Sequence, residues 1–152
     1  MKKLTLLLFM AFFPAGWLVA EELAITVHSL KDGNIGDSVG VIVARETSSG
    51  LVLESHLNRL GMGSYEVTVH ENATCHGHYN EDGSIVPGAS AGNAIANLPV
   101  LELRDGQGPQ TMVTRDMRLQ DIRNRSIMLS QLDETAPMDA ISRKVACGAL
   151  EN

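Results

Sequence analysis

Apolar residues recur in this sequence at every second position, in short runs, and not at the three-to-four spacing of a long helix. In "YEVTVH" (65–70), Tyr65, Val67 and Val69 alternate with Glu66, Thr68 and His70, giving one apolar and one polar face. "LAITV" (23–27), "GLVLESHL" (50–57) and "VLELR" (100–104) read as further strands, and "VGVIVARE" (39–46) is expected to place Val39, Val41 and Val43 on one face. "MVTRDMRL" (112–119), "SIMLSQL" (126–132) and "KVACGAL" (144–150) complete the set. Turn-forming residues separate them, as in "KDGNIGDS" (31–38), Thr47-Ser48-Ser49 and Asp105-Gly106. The segment "NEDGSIVPGASAGNAIANLP" (80–99) has no period and reads as a surface loop, and 132–143 as a connection with room for one helical turn. About eight short strands at this spacing predict an all-β chain, an antiparallel Greek-key β-barrel or sandwich. An α+β fold is the alternative, should 114–125 be helical.

Residues 1–20 stand apart. Lys2 and Lys3 precede the uncharged apolar run Leu4–Phe13; Pro14 and Gly16 break it, and "LVA" ends on Ala20. This is the pattern of a secretory signal peptide cut after Ala20, which leaves one domain over 21–152 and predicts a periplasmic or secreted protein. Ten apolar residues are short for a membrane anchor. Removing Lys2 and Lys3 takes the formal charge from −6 to −8, and no Lys/Arg cluster remains to meet phosphates. Nucleic-acid binding is therefore excluded as an expectation, as is membrane attachment after cleavage.

Both cysteines, Cys75 and Cys147, fall in the exported part. Export to an oxidising compartment and an even count predict a disulfide between them. A C-x-x-C redox motif is absent.

Four fragments, in order, carry a resemblance to a known family. They are residues 36–75, from "GDSVGV" to "HENATC", then "LPVLELRDGQG", "DIRNRSIML" and "KVACGAL". Together they resemble the bacterial periplasmic copper–zinc superoxide dismutases, including the two ends of that family's single disulfide. The resemblance implies a Greek-key barrel and, in the family, copper on four histidines and zinc on three histidines and an aspartate, with one histidine shared. Carried onto this sequence, the first copper histidine falls on Thr68, the second on His70, and the last on Ser130. The loop that holds the family's bridging and zinc histidines is shortened here to "GASAGNAIANLP" and has no histidine, and the zinc aspartate becomes Asn97. The arginine that guides superoxide falls on Lys144, beside Arg143. The scaffold is kept while most of the ligands are gone.

His70, His76 and His78 are the remaining candidate metal ligands, because imidazole suits copper and zinc. The plainer alternative is that His70 is a strand histidine bonded to nearby backbone. Ser130 has no visible base to make it a nucleophile. Met112, Met117, Met128 and Met138 are too scattered for a copper(I) thioether site and read as core and loop residues. The sequence thus predicts an exported, superoxide dismutase-like barrel with no catalytic residues and no required cofactor, serving as a binding module for a protein or small-molecule ligand. The alternatives are a copper- or zinc-binding protein using His70, His76 and His78, or a residual dismutase with a rebuilt copper site.

Overall fold

The computed structural model describes residues 21–31, 34–106, 108–132 and 143–150. The expected leader (1–20) lies outside the described residues, as do Met138 and most of the 132–143 connection. The described elements are β1 (Glu22–Lys31), β2 (Asn34–Thr47), β3 (Gly50–Leu57), β4 (Gly63–His70), β5 (His78–Tyr79), β6 (Ile85–Val86), β7 (Ala94–Leu103), β8 (Gln110–Thr114), α1 (Leu119–Ile122), β9 (Ser126–Gln131) and β10 (Arg143–Ala149). Eight strands form one antiparallel sheet in the order β7-β4-β9-β10-β1-β2-β3-β8, and β5 pairs with β6 apart from it. Its edges, β7 and β8, approach each other, so the sheet curls into a nearly closed barrel. Consecutive strands β3 and β4 lie far apart in the sheet, and β4 sits beside β9, which is the crossover pattern expected of a Greek key. Of 114–125 only the four residues of α1 are helical, so the α+β alternative falls. Among the described residues, no helix is long and apolar enough to cross a membrane.

Alternation decides which side chains enter the barrel. Tyr65, Val67 and Val69 of β4 point inward as their spacing predicts, meeting Leu51 and Leu53 of β3 and Ile127 and Leu129 of β9. Each side chain so buried contributes roughly 1.5–3 kcal/mol of transfer free energy. In β2 the expectation fails. Ile42 and Ala44 are fully buried, whereas Val41 and Val43 are only half-buried, although Val39 is buried as expected. The reason is a bulge: Val27 pairs with Gly40 but His28 with Ser38, so Val39 is an extra residue and the alternation slips by one. Gly40 has φ +144°, and a Cβ there would lie 2.1 Å from the carbonyl oxygen of His56, so only glycine permits this approach.

Three other boundaries move. β2 begins at Asn34, inside the expected turn, β7 begins at Ala94, inside the expected loop, and the strand expected over 112–119 is β8 followed by α1. β7 is an edge strand, where the missing N–H of Pro99 is tolerated.

The Tyr65 hydroxyl donates to the Gly61 carbonyl at 2.6 Å, fixing the β3–β4 crossover. Burial holds its pKa above the ordinary tyrosine value. The folded chain therefore keeps this proton to higher pH than the unfolded chain, and stability falls as pH rises above the ordinary tyrosine range. Tyr65→Phe is expected to cost about 1 kcal/mol at neutral pH, from the lost bond, and to flatten that alkaline decline. Urea unfolding at neutral and alkaline pH measures both.

Candidate functional site

The polar side chains of β4 do not face water. Thr68 and His70 are buried on the outer face of the barrel, as are Ser126, Met128 and Ser130 of the adjacent β9. The register places Thr68 opposite Met128, His70 opposite Ser126 and Glu66 opposite Ser130. The 71–93 segment packs over this face. Cys75 in that segment is joined to Cys147 of β10, which pairs with Met128. Cys75, Ala91, Met128 and Cys147 form a second small core, flanked by Leu30 and Ala149. The stretch expected to be a surface loop is thus partly a lid: Ala91 is fully buried, and a Cβ on Gly88 would reach Met128.

His70 has both ring nitrogens occupied. Nδ1 lies 2.8 Å from the Gly92 carbonyl oxygen, and Nε2 lies 2.9 Å from the Thr68 hydroxyl. A carbonyl only accepts, so Nδ1 carries the proton and Nε2 offers its lone pair. Thr68 donates its hydroxyl proton to that lone pair, which is the one a metal would need. The alternative of a strand histidine bonded to nearby backbone describes this residue well.

His76 and His78 are exposed, His76 beside the disulfide and His78 at the start of the β5–β6 ribbon. That ribbon is closed by Asp82, which accepts bonds from the Ser84 hydroxyl and backbone N–H; these hold its carboxyl below the ordinary aspartate pKa. Among the described residues, no three His, Cys, Asp or Glu side chains gather closely enough to hold a metal, so His70, His76 and His78 are not brought together. Of the other aligned positions, Asn97 is exposed on β7, and Lys144 is half-buried on β10 opposite Ser130. Met112 and Met117 belong to the barrel core and Met128 to the second core, as their scatter suggested.

Two features escaped sequence reasoning. His28 of β1 stands opposite Cys147 of β10, a juxtaposition that only the pairing of the first and last barrel strands creates. At one pole of the barrel, the β3–β4 and β7–β8 connections border a cleft of about 420 Å³, with Leu60 and Met62 on one side and Arg104 on the other. Ser55 lines it, 2% exposed, and its hydroxyl has no hydrogen-bond partner among the described residues. Beside it, Glu54 pairs with Arg45 at 3.3 Å and with His56 at 3.2 Å.

No family model matches the chain. The chain is 27% identical to the "Superoxide dismutase [Cu-Zn]" of Brucella abortus, covering 91% of this chain and 92% of the relative. It is 26% identical to that of Haemophilus parainfluenzae, over 91% and 84% of the two chains. The solved structure of the Brucella abortus Cu/Zn superoxide dismutase superposes with a TM-score of 0.73 at 26% identity, over 86% of this chain and all of the other. The monomeric copper, zinc superoxide dismutase of Salmonella enterica gives a TM-score of 0.71 at 21% identity, which supports the fold. Over most of its length the chain is thus similar in sequence and in fold to copper–zinc superoxide dismutases, as a divergent relative.

The residues present do not fit that family's metal pair. At the three aligned copper positions stand two neutral hydroxyls, Thr68 and Ser130, and one imidazole whose lone pair is already bonded. Hydroxyls are poor donors for a borderline metal such as copper. The Ser126 hydroxyl is buried opposite His70 without a partner among the described residues, but it too is a neutral oxygen.

Proposed function

We propose that this protein is an exported binding module that has given up superoxide dismutation. The observation that carries the reading is the Thr68–His70 bond, which turns the one retained copper position into an internal structural contact. Ser130 and Met128, buried beside it, complete a face built for packing. Export to an oxidising compartment is supported by the Cys75–Cys147 bond. The cleft at Ser55, bordered by Leu60, Met62 and Arg104, is the place where a small molecule could sit on this reading.

A second reading is copper or zinc binding by histidines, favoured by the exposure of both His76 and His78. Metal analysis of protein purified from its native compartment tests the main reading. The expected result is no stoichiometric copper–zinc pair; one copper and one zinc per chain would overturn it.

A further inference from the structure

His28 is held as a metal-binding histidine commonly is. Its Nδ1 lies 3.1 Å from the carbonyl oxygen of Gly36, on the neighbouring strand β2. The carbonyl can only accept, so Nδ1 is the protonated nitrogen and Nε2 keeps a lone pair. Metal-ligating imidazoles are typically oriented by this kind of bond from the second ring nitrogen to a carbonyl or carboxylate. His70 has the same bond to Gly92, but its Nε2 is taken by Thr68, whereas among the described residues no such hydroxyl bond holds His28.

His28 and His76 line one pocket of about 300 Å³, together with Thr26, Ile35, Thr74 and Cys75. The root of His76 is fixed there on several sides. Its backbone N–H donates to the Thr74 hydroxyl at 3.4 Å, its carbonyl accepts the Ser90 N–H at 3.1 Å, and Cys75 before it is tied to β10. Two imidazoles far apart in sequence are thus brought to one hollow by the β1–β10 pairing and the disulfide. The sulfur of Cys75 is oxidised and supplies no thiolate.

We propose that His28 and His76 form a two-imidazole site for a divalent first-row transition cation such as Zn²⁺, Ni²⁺ or Cu²⁺. Waters complete the coordination. Neutral imidazoles without carboxylates exclude Ca²⁺ and Mg²⁺, which require oxygen ligands. Affinity should rise from Zn²⁺ to Cu²⁺, since the site imposes no thiolate or fixed geometry of its own. This site lies away from the aligned copper positions and stands whether or not the chain dismutates superoxide.

The test is calorimetric titration of the oxidised, full exported chain with Zn²⁺ in a non-chelating buffer, followed in parallel by the histidine ring resonances. The expected result is one cation per chain, with shifts at His28 and His76 and none at His56, His70 or His78. His28→Gln and His76→Gln should each weaken binding at least about tenfold, the loss typical even of less direct changes around a metal. His78→Gln should leave it unchanged. His76 is exposed, so its variant keeps the test valid should His28→Gln fail to fold. No binding at millimolar Zn²⁺, undiminished binding in His76→Gln, or shifts confined to His70 or His78 would each overturn the proposal. Dismutase activity, whatever its value, would not bear on it.

Discussion

Purified protein supplied with copper and zinc is expected to dismutate superoxide at least about two orders of magnitude more slowly than the Brucella abortus relative assayed beside it. Changes outside the ligand shell alone typically cost roughly 10–100-fold in affinity or activity, and here the ligand positions themselves are altered. Thr68 and Ser130 offer hydroxyls where imidazoles are needed. His70 would have to break its bond with Thr68 before its Nε2 could meet a metal. Positive charge is not the missing element, because Lys144 still stands opposite Ser130. Copper-dependent activity that vanishes on chelation and approaches the relative's rate would refute the expectation. Thr68→Val provides a further check, since it releases the His70 lone pair without adding a ligand, and it should not raise the rate.

Much of this arrangement was legible before the fold was known, and the parts that were not share a cause. The inward set Tyr65, Val67 and Val69 follows from alternation alone, because a period of two survives wherever a strand is regular. Alternation misplaces the β2 face because the bulge at Val39 answers to the close approach of the His56 carbonyl to Gly40, a contact between strands. The burial of Thr68 and His70 was equally invisible. A polar face reads as solvent-exposed until something covers it, and the cover is the 71–93 segment held down by Cys75. The loss of copper positions was readable from residue identity at aligned places, whereas the use now made of His70 needed the Gly92 carbonyl. His28 is inconspicuous in the sequence because Gly36 and His76, which give it meaning, reach it only through strand pairing and the disulfide.

Replacing Cys75 and Cys147 with serine is expected to lower the unfolding free energy by about 4 kcal/mol. The bond closes a loop across a sequence separation of 72 residues, and chain entropy in the unfolded state gives a value of that size for a loop of this length. Packing adds to it, for both cysteines are buried in the small core with Met128 and Ala91, where serine hydroxyls would have no planned partner. The barrel's main core does not depend on the bridge, since β9, β10 and β1 are joined by their own ladders. Unfolding should therefore remain cooperative at a lower midpoint, with β-sheet circular dichroism preserved in buffer. The local consequence is greater than the global one. Cys75 is the covalent anchor of the 71–93 segment and precedes His76 directly, so amide hydrogen exchange should rise across 71–93 more than in β9 or β1. Zinc binding through His28 and His76 should weaken in the same variant, because one of its two ligands loses its tether. Equal exchange in the wild-type and serine proteins across 71–93, or a loss of stability below 1 kcal/mol, would show that the lid is held by packing and not by the bridge.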